Sequence, residues 1–332
     1  MRSYLTALIL IITCQLCAGQ KVTGKNPIDT LRVNSVPFDR FQQNINCNKF
    51  GSYIEMIVNT PDTCNLYVRE IGGGSKAILF LHGGWGADLE YLYNSFRYLK
   101  DDYRLIFYDQ RGSLRSKCPD VSMDVKAHVD DLHRIIEELK LDSFSITAHS
   151  MGGYLALKYL ESYPDAQIDK MILISSLPAV YKEEEMEREM EQARDKAERN
   201  EIDMLLDSMN INPENLTLKE RYIYSGIIDG AINLYDIKRF PYLIGMVNFS
   251  RTAGTKTAES MESNIDFTRV LSETHVDVTF ITGTDDYISV RSHISAIKNL
   301  PSVKLRVVPK AGHALWIDQP EIITEYIPEI LK

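Results

Sequence analysis

Phe144-Ser145-Ile146-Thr147-Ala148-His149-Ser150-Met151-Gly152-Gly153 decides how this chain is read. The run up to Ala148 reads as a buried strand. Gly152 to Ser162 reads as a helix stopped by Pro164. A serine held between them sits on a sharp turn that lifts its hydroxyl above the sheet edge. Ala148 and Gly152, two residues to either side of Ser150, are small enough for the backbone to pack through such a turn. A motif this short recurs by chance, so the strand–turn–helix setting gives it its weight.

The same rhythm continues outward. Tyr53–Val58 and Asn65–Glu70 read as two strands around the turn at Asn59–Asp62. Ala77–Leu81 and Arg104–Tyr108 are continuous apolar runs, the mark of strands buried on both faces. Val129, Leu132, Ile135, Ile136 and Leu139 recur at helical spacing, which predicts a helix near residues 124–140. Met171–Ser175, Val276–Thr282 and Val303–Val308 read as further strands, and a last helix follows Pro320. Strands alternating with helices imply a mostly parallel sheet covered on both faces. Residues 178–265 break the rhythm and read as a helical insertion. Its opening stretch, Lys182–Asn200, is densely charged and reads as a solvated helix face.

The 332 residues are 44% hydrophobic and 25% charged, an ordinary globular composition that excludes collagen, coiled coil and disorder. The net charge of −9 gives no basic surplus to neutralise phosphates, so a nucleic-acid binder is not expected. Residues 1–19 read as a secretory signal: Arg2, the apolar run Leu5–Ile12, then Cys17-Ala18-Gly19 for cleavage. That places the protein in a secreted or periplasmic compartment. Lipid anchoring at Cys14 is disfavoured, because Thr13 precedes it. Residues 20–48 form a polar extension, leaving 49–177 and 266–332 as the sheet-based core. No membrane span is expected beyond the signal. Of five cysteines, Cys47, Cys64 and Cys118 fall after the signal. Cys47 and Cys64 flank the first hairpin and are the preferred disulfide among three possible pairs. Two N-x-[ST] sequons begin at Asn215 and Asn248.

A serine nucleophile needs a base held by an acid. Gly283-Thr284-Asp285-Asp286 ends a predicted strand with two carboxylates, and His313 follows the last strand in a loop. Asp286 is the expected acid and Asp285 its runner-up, with a turn-capping role. His293 lies in a predicted helix over Ser289–Leu300, where a surface role suits it better. His82, His128, His133, His149 and His275 read as structural or surface residues. Donors to a developing oxyanion are expected from the backbone N–H of Met151 and of Gly84, in the loop His82-Gly83-Gly84-Trp85-Gly86. Trp85 is the alternative donor and a candidate pocket wall that binds substrate. No cofactor is expected, and no metal-binding motif occurs.

Four segments in order now resemble the α/β-hydrolase superfamily over roughly residues 50–332. They are the His82–Gly86 loop, Tyr108-Asp109-Gln110-Arg111-Gly112 with Ser116, the Ser150 elbow, and Gly312-His313 with Trp316, Asp318 and Pro320. The resemblance implies an α/β-hydrolase fold: a mostly parallel central sheet with helices on both faces and a helical cap. The His82-Gly83-Gly84 loop and Asp109–Gly112 are similar to the proline iminopeptidase branch, which implies release of an N-terminal residue from short peptides. It also implies that Asp109 and Arg111 form an ion pair bracing their loop. The chain departs from that branch at Trp85, Leu114 and the elbow. Ala148-His149-Ser150-Met151-Gly152 is more similar to esterases and lipases. The branch's acidic amine-binding residues have no recognisable counterpart in 178–265.

The expected function is therefore a secreted serine hydrolase with Ser150 as nucleophile, His313 as base and Asp286 orienting the imidazole. It acts through an acyl-enzyme on a small molecule or short peptide. Aminopeptidase leads carboxylesterase slightly on Asp109–Gly112. A thioesterase or acyltransferase uses the same triad. A binding protein that kept the fold and lost turnover is the reading from a different class. The charged opening of the insertion, including Glu183, Glu184 and Glu185, is expected to favour cationic substrates such as peptide amines.

Overall fold

Continuous apolar runs along the chain become strands that water does not reach. The computed structural model of the protein describes residues 53–119, 122–198, 200–243 and 248–332. The predicted signal at 1–19, the extension at 20–48 and Cys47 lie outside the described residues. The main sheet has eight strands in the order β1-β2-β4-β3-β5-β6-β9-β10. They are β1 (Ile54–Asn59), β2 (Asn65–Ile71), β3 (Lys76–Leu81), β4 (Tyr103–Tyr108), β5 (Phe144–His149), β6 (Ile168–Ile174), β9 (Asp277–Gly283) and β10 (Lys304–Val308). β1 and β2 form an antiparallel hairpin at one edge, and β2 runs antiparallel to β4. From β4 to β10 every pairing is parallel.

Side chains of β3, β6 and β9 are buried on both faces of the sheet, in two large apolar clusters, while β5 gives Phe144, Ile146 and Ala148 to one and buries Ser145, Thr147 and His149 on the other face. Each fully buried Ile, Leu or Phe there contributes about 1.5–3 kcal/mol by leaving water. Helices cover both faces. Among them are α1 (Glu90–Phe96), α2 (Val125–Glu138) and α3 (Met151–Ser162). The Asp124 side chain accepts from Ala127 N–H at 2.8 Å and starts α2. The spacing of Val129, Leu132, Ile135 and Ile136 then buries that helix's apolar face.

Between β6 and β9 the chain leaves the sheet. A short antiparallel pair, β7 (Val180–Lys182) with β8 (Asn264–Asp266), closes the base of the excursion. Sequence alone gave no sign of it. Within the excursion lie α4 (Glu183–Ala197), α5 (Asn200–Ser208), α6 (Leu218–Asn233) and α7 (Arg251–Glu259). Ile202, Leu206, Ile223, Ile227 and Phe240 form part of a separate small core there.

Two expectations are corrected by tertiary contacts. Cys64 is bonded to Cys118 rather than Cys47. The cause is the antiparallel bridge between Asn65 and Lys117, which brings the residues beside them together. Asp109 and Arg111 do not pair with each other. Asp109 accepts from Arg115 at 2.7 and 3.0 Å. Arg111 donates to Asp131 at 2.6 and 2.8 Å and to Asp62 at 2.8 Å. Both loops are braced, each through a different partner, because the turn aims the two side chains apart.

Candidate active site

Parallel strands end at one edge, and the register fixes where. Leu81 pairs with Ala148, His149 with Ile174, and Ile174 with Ile281. The residues just beyond β3, β5, β9 and β10 therefore gather at the carboxyl edge of the sheet, where open α/β sheets bind ligands. Ser150 follows β5 at once, with φ +54° and ψ −122°. That conformation is costly for a residue with a Cβ. It is stabilised because Ser150 N–H donates to Ile174 O at 2.9 Å while the next residue begins α3. A Cβ on Gly152 would lie 2.4 Å from Leu81 O, so only glycine lets the helix start this close to β3. A Cβ on Gly83 would lie 2.7 Å from Ser150 Cβ, which puts the glycine loop directly against the serine.

Of the two adjacent carboxylates, Asp286 faces His313. Its Oδ1 accepts from His313 Nδ1 at 2.9 Å and from Ile288 N–H at 3.0 Å. Burial pushes the Asp286 carboxyl up. The charge of the imidazole and the hydrogen bonds to His313 and Ile288 outweigh burial, leaving the group below its ordinary value. Asp285 is turned away: its carboxylate accepts from Thr284 Oγ1 at 2.7 Å. Because Nδ1 donates to a carboxylate, Nε2 of neutral His313 carries no proton and accepts, with Tyr287 Oη 3.1 Å from it.

A second chain of hydrogen bonds ties the loops together. Gly83 N–H donates to Tyr91 Oη at 2.5 Å. Tyr91 Oη lies 2.8 Å from His149 Nδ1, and His149 Nε2 lies 3.2 Å from the carbonyl of His313. A carbonyl only accepts, so Nε2 of His149 carries the proton and Nδ1 accepts from Tyr91. Burial holds the His149 ring well below its ordinary value, in agreement with that neutral form. His82 joins the same loop to Gln110, accepting from its N–H at 3.0 Å.

Trp85 packs into the core of the fold. Its indole is buried, with Nε1 on Met261 Sδ at 3.0 Å and its ring beside His128 at 4.8 Å. The apolar interior between α2 and α3 takes the large ring inward. Phe249 stands over Gly84 instead, 3.6 Å from where a Cβ would sit. It is carried by Asn248, whose N–H and side-chain amide both donate to the buried Asp88 at 2.8 Å. The amide of that sequon is thus committed to the fold. His293 is buried as well, contrary to the expected surface role. Its helix, Val290–Ile297, packs on the sheet, and the ring lies 5.5 Å from Phe280.

The insertion touches the site loops through a few polar anchors. The Asp318 carboxylate accepts from Gly312, Tyr235 and Asp236 N–H at 2.9, 2.8 and 3.3 Å. Ala314 N–H donates to Asn233 O at 2.9 Å. Glu189 of α4 is buried and accepts from Tyr181 Oη at 2.5 Å and Ser289 N–H at 2.9 Å. Neither Tyr91, Glu189 nor Tyr287, which stacks on His313 at 4.5 Å, carries a local sequence signal beyond the last one's place beside Asp286.

The sequence pattern of the alpha/beta hydrolase fold matches residues 76–320. The chain belongs to the α/β-hydrolase family. Among curated relatives of this hydrolase, a proline iminopeptidase of Lacticaseibacillus rhamnosus (strain Lc 705) is 28% identical over 76% of this chain and 89% of its own. A bifunctional esterase/perhydrolase of Acinetobacter calcoaceticus is 24% identical over 81% of this chain and 96% of its own. Among solved structures, a proline iminopeptidase-related protein of Thermus thermophilus superposes with a TM-score of 0.61. It is 23% identical, over 84% of this chain and 97% of that one, which speaks to the fold alone.

Proposed function

We propose that this hydrolase is a serine enzyme working through an acyl-enzyme, with Ser150 as nucleophile, His313 as general base and Asp286 orienting the imidazole. The observation that carries this reading is the Asp286–His313 hydrogen bond at 2.9 Å, at the same sheet edge as the positive-φ Ser150. Asp286 fixes the Nδ1–H tautomer, leaving Nε2 to take the Ser150 proton as Oγ attacks the acyl carbon. Negative charge on the carbonyl oxygen is met by the N–H groups of Met151 and Gly84. The N–H of Gly83 is committed to Tyr91 Oη, which supports Gly84 as the loop donor. His313 then gives its proton to the leaving group. Water, activated by the same ring, releases the acyl product and frees Ser150.

The acyl donor we favour is a short peptide cleaved after its N-terminal residue. The Asp109–Gly112 loop and the 28% identity to a proline iminopeptidase support it. The Ala148–Gly152 elbow and the esterase/perhydrolase relative support a carboxylic ester instead. A paired assay with prolyl arylamides and short acyl p-nitrophenyl esters separates the two, and turnover of esters alone removes the peptidase reading. Labelling by a fluorophosphonate that disappears in Ser150→Ala is expected, whereas an unlabelled wild type contradicts the serine mechanism. Export is part of the proposal. The N-terminal apolar run and the Cys64–Cys118 disulfide suit an oxidising compartment, and recovery of the protein only from the cytosol would count against it.

A further inference from the structure

The lone pair that the serine mechanism requires is already engaged. Tyr287 Oη lies 3.1 Å from His313 Nε2, with the two rings stacked at 4.5 Å. Nδ1 of His313 donates to Asp286, so Nε2 is the acceptor and the tyrosine O–H is the donor. A neutral imidazole offers one lone pair in the ring plane at Nε2, and it accepts one good hydrogen bond there.

We propose that the Tyr287 hydroxyl competes with Ser150 for His313 Nε2, so that the free enzyme rests in a self-blocked state that substrate binding must open. This inference rests on the serine mechanism above and adds a positioning residue to it. The hydroxyl has to leave Nε2 before acylation. It must leave so that the serine proton can transfer, and it cannot return as a donor until Nε2 has given that proton to the leaving group. Tyr287 remains a neutral donor throughout, because burial and the nearby Asp286 and Glu189 charges oppose its ionisation. The groups facing His313 are Asp286 on Nδ1, Tyr287 on Nε2 and the neutral His149 on its carbonyl, with Glu189 placing charge beside Asp286.

Competition makes two linked predictions. Tyr287 stabilises only the neutral ring, so it lowers the alkaline plateau of acylation and the midpoint of its rising limb by the same factor. The test is the rate of fluorophosphonate labelling against pH for wild type, Tyr287→Phe and Tyr287→Leu, with Ser150→Ala as control. Removing one such hydrogen bond is expected to raise the plateau roughly three- to tenfold and to move the midpoint up by about 0.5–1 pH unit. At pH below the limb the rates converge. Slower or unchanged labelling in either folded variant overturns the proposal; a collapse in Tyr287→Phe would make the hydroxyl a proton relay instead. If the wild type shows no Ser150-dependent labelling at all, the serine mechanism has failed rather than the competition.

Discussion

The sheet and the helical insertion are held together by different physics. The sheet buries continuous apolar strands on both faces, and Arg111 in its interior is paired with Asp131. Among the described residues the insertion has a small apolar cluster of its own around Ile227 and Phe240, and lends Tyr181, Ala258 and Ile265 to the core of the sheet. It attaches through discrete polar anchors, several of them on the loops that carry the site: Asp318 beside His313, Glu189 beside Asp286, and Asn248 with Phe249 over Gly84. A hydrolase built this way can change what its insertion offers a substrate without disturbing the sheet, at the cost of coupling the insertion's fit to catalytic geometry.

The sharpest way to break this comparison is at the edge where the two regions meet. Asp286→Asn should lower kcat by about 10⁴-fold by permitting the wrong His313 tautomer. Asp285→Asn, one residue away, should leave steady-state kinetics within about twofold, its carboxylate being turned to Thr284. Comparable losses in both would mean that the two carboxylates share the role.

In the sheet, Asp131→Ala strands most of a buried guanidinium. It should cost about 3–5 kcal/mol in urea or thermal unfolding, read as one cooperative transition. The insertion should answer locally instead. Asp318→Asn puts an amide where three backbone N–H groups need an acceptor, at a cost of about 1–3 kcal/mol. Hydrogen exchange should then speed up at Gly312, Tyr235 and Asp236, with the amides of β3 and β4 unchanged. Global destabilisation would show that the insertion is not separable in this sense.

A pH-dependent effect is expected at Asp229 of α6, whose carboxyl burial pushes up to about 7. Ionising it in the folded state costs stability, so that cost is absent at pH 4 and grows as pH rises toward 7. Asp229→Asn should therefore raise the unfolding free energy by about 4 kcal/mol at pH 8 and leave it nearly unchanged at pH 4. A pH-independent difference would argue that Asp229 stabilises α6 in some other way.

Legibility followed the same division. The strands of the sheet were readable because burial on both faces writes apolar runs into the chain, as at Ala77–Leu81. The turn at Ser150 and the loop after β10 that carries His313 were readable from turn chemistry and order along the chain. His293 was misplaced because a ring on a helix says nothing about which neighbours will cover it. The strand pair β7–β8 left no signal, since each member is three residues long and neither can form without the other.

The sequence by itself determined the alternation of strand and helix, the elbow at Ser150 and the approximate place of the insertion, because these rest on local propensity and periodicity. Tertiary structure decided the choices that depend on contact. It set Asp286 rather than Asp285 against His313, Cys118 rather than Cys47 against Cys64, and Arg115 rather than Arg111 against Asp109. It also placed a tyrosine hydroxyl on the imidazole that no pattern in the chain announces. Each of these is a choice among near neighbours in sequence or a meeting of segments far apart in it. The register of strands settles it, and register is a property of the folded sheet.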